Sequence, residues 1–247
     1  MIFSFVAYFN SMARSGSFLF NIFVFFCLFE PTHFEVEAGA FVQVKADHTI
    51  DSLWRKYQSI RLDSVCLSFA AFEHAYKGFL KLKADKVLSH KSILAIADMT
   101  QSANAKRLYL IDIDKDSLLL QSFVAHGRNS GQEFATTFSN VAESYQSSVG
   151  FYITGDRYQG KHGLSLRLCG VETDFNDSAE QRAIVIHGAD YVSETFIKNN
   201  GRLGRSLGCP AVSLELCSLI VGLLEGGTCF FIYYPSPKYL EKSLIRK

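Results

Sequence analysis

Between Leu62 and Lys83 apolar residues recur at intervals of three and four. Val65, Phe69, Phe72, Tyr76, Phe79 and Leu80 share one helical face, while Glu73, Lys77, Lys81 and Lys83 fall elsewhere. The spacing predicts an amphipathic helix with one face to bury. A second, weaker element is expected over Ser89–Thr100. At Arg107 the period changes. "RLYLIDI" and "SLLLQSFVA" are short apolar runs flanking the turn-forming "DKDS", and they predict a hairpin. "GFYIT" and "LSLRL" read as strands, the latter alternating Leu164, Leu166 and Leu168 with Ser165 and Arg167; "GDRYQGKHG" reads as the turn between them. "RAIVIH" is apolar on both faces and predicts a central strand ending at His187. A short helix is expected between Tyr191 and Asn200, broken by Asn199-Asn200-Gly201. Ser213 suits the N-cap of a helix "LELCSLIVGLLEG", with Gly226 just past its end. "TCFFIYY" is the last expected strand, and "PSPKYLEKSLIRK" reads as a polar tail.

The pattern predicts an α+β chain in which a helical N-terminal segment, 41–105, precedes a strand-rich domain, 106–240. A chain of 247 residues is long enough for one substantial core with an accessory layer. Residues 1–40 stand apart. The run Phe18–Phe29 is apolar, follows Arg14, and precedes small residues at Ala38-Gly39-Ala40. It is shorter than the roughly 20 residues that span a bilayer. This segment reads as a secretory signal, with Met12 a candidate start, or as an uncleaved membrane anchor. Either reading sends the remainder out of the cytoplasm and leaves room for N-terminal membrane association. Cys27 follows Phe26 and lacks the small preceding residue of a lipoprotein site. Net charge is +1 and no basic stripe is interleaved with aromatics, so nucleic-acid binding is set aside.

Five of the six cysteines lie beyond that leader: Cys66, Cys169, Cys209, Cys217 and Cys229. No CxxC pair or Cys/His cluster has zinc spacing, so no metal is expected. Four sit in apolar runs and read as small core residues. Cys209 differs, because it lies in the glycine-rich "GRLGRSLGCPAV", downstream of His187. A thiol needs help to ionise near neutral pH, and an imidazole supplies it. Gly204 and Gly208 free the backbone there. Gly208 and Cys209 N–H groups, with the Ser206 hydroxyl, are candidates to hold an oxyanion. Arg205 is a candidate either to lower the thiol pKa or to hold a substrate carboxylate. Tyr191 either lines a groove or packs on a helix face. Tyr158, with Lys161 and His162, either lines a groove or ends a solvated hairpin. His126, in "VAHGRNSG", reads as a strand end with a structural hydrogen bond.

The segment "IVIHGADYVSETFI…GRLGRSLGCPAV" resembles the active-site signature of the L,D-transpeptidases, and more closely that of the murein L,D-transpeptidase catalytic domain (YkuD_2-like). The likeness extends through "RLYLIDI", "VAHGRNSG", "FSN", "SSVGFYITGDRYQGKHGLSLRL" and "FNDSAEQR", over about residues 62–234. It implies a β-rich YkuD-like fold and an extracytoplasmic, periplasmic or envelope enzyme needing no cofactor. Its partners would be peptidoglycan stem peptides, joined through a thioester acyl-enzyme. By resemblance Cys209 is the nucleophile, His187 the base, and the Gly188 carbonyl the group that orients the ring. The Ser206–Cys209 turn is then the oxyanion site. Hydrolysis of the same stems by an L,D-carboxypeptidase or endopeptidase, and a non-catalytic wall-binding module, are the alternatives. The wider family carries Ser-His-Gly-Cys at this turn; Leu207 replaces the histidine here, and the gap of 21 residues after His187 is longer than usual.

Overall fold

The computed structural model describes residues 48–246, with side chains from Ile50. The leader or anchor expected at 1–40 lies outside the described residues. Two helices open the described chain, α1 (His48–Ser59) and α2 (Phe69–Ala84), with a 3-10 turn at Leu62–Val65 between them. The single helix expected over 62–83 is thus interrupted. Cys66 takes a left-handed conformation, φ 64°, and ends the first turn. Ser68 then starts α2 afresh, its hydroxyl accepting the Ala71 N–H.

Among the described residues eight strands form one mixed sheet: β1 (Ile93–Asp98), β2 (Leu108–Asp112), β3 (Ser117–Ser122), β4 (Gly150–Gly160), β5 (Gly163–Gly170), β6 (Val185–Ala189), β7 (Ala211–Ser213) and β8 (Cys229–Tyr233). Their spatial order is β3-β2-β1-β8-β4-β5-β6-β7. The weaker element at Ser89–Thr100 is therefore a strand, paired with β2 and β8 inside the sheet. Within the segment 41–105, the described residues are helical only from His48 to Ala84, apart from the linking turns. The β2–β3 hairpin forms where the two apolar runs flank "DKDS". The predicted 155–163 turn is mostly strand: β4 runs to Gly160, across a bulge between Thr154 and Arg157. A longer ladder satisfies more backbone groups than a wide loop would. Strand β6 has neighbours on both sides but lies next to the sheet edge.

Alternation assigns the two faces. Leu94, Ile96, Tyr109, Ile111, Phe151 and Phe231 pack with Phe72, Ala75 and Phe79 of α2. On the other face Tyr152, Leu166, Leu168, Ile186 and Phe230 pack with Ile220, Val221 and Leu224 of α4 (Leu214–Leu224), which follows the short α3 (Glu194–Asn200) and which Ser213 caps as its sequence predicts. The C-terminal segment is folded rather than a loose polar tail. Helix α5 (Pro237–Lys242) buries Tyr239, whose hydroxyl donates to the carboxylate of buried Glu172 at 2.9 Å. Two cysteines expected in the core, Cys66 and Cys169, are exposed, while Cys217 and Cys229 are buried. Cys169 follows Leu168 on β5 and so points to the opposite face. Among the described residues no helix is long and apolar enough to cross a membrane.

Gly78 is where α2 meets β4 most closely. A Cβ there would lie 2.0 Å from the Phe151 ring. Gly78→Ala is expected to cost about 1–3 kcal/mol through overpacking. Urea denaturation reads this as a lower midpoint at unchanged m-value; an unaltered midpoint would show that the interface yields freely.

Candidate functional site

Three segments build the cysteine turn. The first is 125–131. Ala125 bridges Ala211, Gly127 bridges Ser206, the Ser206 N–H donates to His126 O at 3.0 Å, and the Arg128 N–H donates to Ser206 O at 2.8 Å. Behind it lies buried Arg107, which donates to the Val124 and Gln101 carbonyls and, at 2.7 Å, to His126 Nδ1. His126 must accept there, so its Nε2 carries the proton and faces Gly131 O at 3.4 Å. The structural hydrogen bond expected at His126 is this one.

Burial first, then the Arg107 charge, holds His126 down at about 4. Burial likewise holds His74, on α2, at about 4. Both pKa values are depressed from 6.5 in the folded chain. Between those values the unfolded chain binds more protons. Stability is therefore complete above about pH 6.5 and declines as pH falls toward about 4. Thermal melts across that window are expected to show a falling Tm; a flat profile would contradict two buried neutral imidazoles.

The second segment is the irregular stretch 139–148. Ser147 Oγ accepts the Gly127 N–H at 3.0 Å and donates to Gly208 O at 3.3 Å. The third is the turn itself. Ser206 Oγ donates to Cys209 O at 2.6 Å and accepts the Gly208 N–H at 3.0 Å. This corrects the expectation that Ser206 and Gly208 aim donors at an oxyanion: both groups are consumed in closing the turn. The Cys209 N–H has no hydrogen-bond partner among the described residues and remains available. Gly208 has φ 127° and lies against Gln146 O, so a side chain there would be strained and crowded.

Arg205 also departs from expectation. Its Nη1 donates to Arg128 O and Gly131 O, both at 2.9 Å, tying the turn to 125–131. The cation acting on the thiol is Arg182, just before β6. It is anchored on Ser139 O and Gln146 O, each at 2.7 Å, and on the Ser148 and Ser144 hydroxyls. Its Nη2 lies 3.3 Å from where a Gly208 Cβ would be. The sequence carried no signal for Arg182 beyond a basic residue preceding an apolar strand, since its role depends on where 139–148 folds. Burial pushes the Cys209 thiol above its ordinary value, opposed by the Val185 N–H and then by Arg182.

Cys209 is partly exposed, and its sulfur lies 3.7 Å from Ala183 O, at the entrance to β6. His187 pairs with Ala211 in the parallel β6–β7 ladder. Cys209 lies just before β7 and packs against the α4-face cluster, and its sulfur meets the Val185 N–H, two residues before His187 on β6. Among the described residues no hydrogen bond joins the two side chains. His187 is buried, and its Nδ1 lies 2.9 Å from Gly188 O. A carbonyl only accepts, so the proton is on Nδ1 and Nε2 is a free acceptor. Burial holds His187 below its ordinary value, opposed by the Gly188 carbonyl and assisted by His162. The His162 ring, on the β4–β5 turn, stacks on His187 with centroids 4.6 Å apart.

Tyr191 packs against the turn: a Cβ on Gly204 would lie 2.4 Å from the Tyr191 Cβ, and Gly204 N–H donates to Tyr191 O at 2.9 Å. Its phenol is pushed up to about 12 by burial, then by Cys209 and Asp190. Tyr158 is on β4, beneath the Arg167 guanidinium. Leu207, at the position of the wider family's second histidine, is exposed. A cavity of about 620 Å³ opens near Asp190, Ser193, Ser213 and Glu215, but neither Cys209 nor His187 lines it. Among the described residues no cluster of His, Cys, Asp or Glu is placed to hold a metal.

The sequence profile of the family described as "L,D-transpeptidase catalytic domain" matches residues 64–233. No curated protein matches the chain. Among solved structures, an L,D-transpeptidase from Mycobacterium smegmatis is 10% identical, with 58% of this chain and 59% of that chain covered and a TM-score of 0.37. The present chain thus spans 59% of that protein's length. An L,D-transpeptidase (Yku) from Stackebrandtia nassauensis is 13% identical, with 68% of each chain covered and a TM-score of 0.35. The LD transpeptidase LdtMt1, solved in complex with imipenem, is 10% identical over 57% of this chain and 59% of that one, with a TM-score of 0.36. The profile match carries the assignment; structural overlaps this low carry none.

Proposed function

The chain belongs to the L,D-transpeptidase catalytic domain family, and from that premise we propose a cysteine-dependent transpeptidase acting on peptidoglycan stem peptides. The observation that carries this reading is the His187 tautomer. With Nδ1–H committed to Gly188 O, Nε2 is available as a base, on a strand whose Val185 N–H, two residues earlier, meets the Cys209 sulfur. Hydrogen-bond contacts of this kind are often long before substrate binds.

In the proposed reaction the Cys209 sulfur attacks the carbonyl between a diamino acid and the terminal D-alanine, and its proton passes to His187 Nε2. The carbonyl oxygen becomes an oxyanion facing the Cys209 N–H. Collapse breaks the C–N bond; the imidazolium returns its proton to the leaving amine, and free D-alanine departs. An amine of a second stem then attacks the thioester. His187 takes the amine's proton and passes it to the departing sulfur, regenerating the thiol. A substrate of this kind lies outside the cytoplasm, where the leader reading places the chain.

The test is incubation with a disaccharide tetrapeptide followed by mass spectrometry of products. Cross-linked dimers with shortened stems are expected. Trimmed monomers alone would make water the acceptor and the enzyme a carboxypeptidase. Unchanged substrate, with no adduct to imipenem either, would contradict the reading.

A further inference from the structure

We propose that Arg167, laid on the ring of Tyr158, is the anchor for a carboxylate of the peptide substrate. The inference rests on the transpeptidase reading and names a substrate contact within that site. Strand register supplies the geometry. Ser165 pairs with His187, Arg167 with Val185, and Tyr158 with Ser165. Directly paired residues point to the same face. Tyr158, Arg167 and His187 therefore share one face, opposite the one that Leu166 and Leu168 bury against α4. The Cys209 sulfur reaches the start of β6 from the β7 side, against Ala183 O. Arg167 reaches Val185 from the β5 side. Arg167 is thus a diagonal neighbour of His187 across the β5–β6 ladder.

The side chain itself is built to receive an anion. Its guanidinium carbon lies 4.5 Å from the Tyr158 ring centroid. Stacking of this sort fixes the plane of the guanidinium and leaves its edge N–H groups pointing outward. Neighbouring arginines are already engaged: Arg157 with Glu225, Arg182 and Arg205 with backbone carbonyls. Arg167 is exposed and forms no ion pair among the described residues. A planar, oriented fork on the sheet face that carries His187 matches a carboxylate in two-point contact. The donor stem offers two, the side-chain carboxylate of the diamino acid and the terminal carboxylate of the leaving D-alanine.

Calorimetric titration separates them. The inactive Cys209→Ala protein is titrated with the free tetrapeptide, its side-chain amide and its C-terminal amide. One amide is expected to bind about tenfold or more weakly than the free peptide, and its position identifies the carboxylate held. Adding Arg167→Gln should weaken the free peptide by a similar factor and erase the preference. Arg167→Lys should restore only part of it, because the fork is lost. Circular dichroism melts check that the exposed substitution leaves the fold intact. Equal affinity for all three peptides, discrimination that survives Arg167→Gln, or no binding of any peptide overturns the proposal. A wild-type protein that still forms an acyl-enzyme in those cases loses only Arg167. One that forms none loses the transpeptidase reading, while the titration still decides the carboxylate contact.

Discussion

Cys209→Ala is expected to lower D-alanine release from a tetrapeptide donor by at least about 10³-fold, a loss typical of removing a nucleophile that works as a unit with its base. The turn should survive the change. Its closure depends on Ser206, whose hydroxyl bonds the backbone at positions 208 and 209 rather than the sulfur. The parallel controls are Cys66→Ala and Cys169→Ala. Both thiols are exposed, so reagents reach them, but neither lies near His187 in the sheet. Full activity in those two variants and none in Cys209→Ala is the expected result from a continuous D-alanine assay. Activity retained by Cys209→Ala would remove the thioester from the account.

His187→Ala is expected to cost about 10²–10⁴-fold, the usual range for a positioned general base. Its pH dependence separates a base from a mere packing residue. In the wild type burial keeps the imidazole below its ordinary value, so Nε2 is unprotonated at neutral pH. The thiol is pushed the other way. Acylation should therefore increase with pH along a limb set by the sulfur. A resting thiolate–imidazolium pair would instead give a flat profile there. Removing the nearby cation shifts the limb in a known direction: Arg182 acts to lower the thiol pKa, so Arg182→Gln should move the rise to higher pH. Stopped-flow acylation across pH reads both effects. An unchanged limb in Arg182→Gln would mean that its charge does not reach the sulfur.

Much of this site was legible in the sequence where local chemistry dictated it. Ser213 beginning α4 and the hairpin around "DKDS" follow from caps and turns that act over a few residues. The proposed pairing of the strand-borne His187 with the thiol of a glycine turn also comes from the motif; the structure itself joins the two side chains by no hydrogen bond among the described residues. What sequence did not reveal is long-range. Arg182 matters because 139–148 folds back to hold it. Ser206 and Gly208 had the chemistry of oxyanion donors, but the turn closes on itself and uses both. Arg205 had the charge, yet its reach is to 128 and 131 rather than to the sulfur. Tyr158 read as part of a turn because Gly155 and Asp156 interrupt the apolar pattern; they mark a bulge, and the ladder resumes beyond it. Tyr239 read as tail because a single aromatic among charges gives no period, while its burial depends on Glu172, 67 residues away.

The account comes down to which atom takes the acyl group. Reaction of the whole protein with imipenem, proteolysis, and tandem mass spectrometry of the fragments answers this directly. The predicted result is one stoichiometric adduct on the fragment holding Cys209, lost in Cys209→Ala and formed far more slowly in His187→Ala. An adduct on Cys66 or Cys169 instead, or none on any thiol, would contradict it.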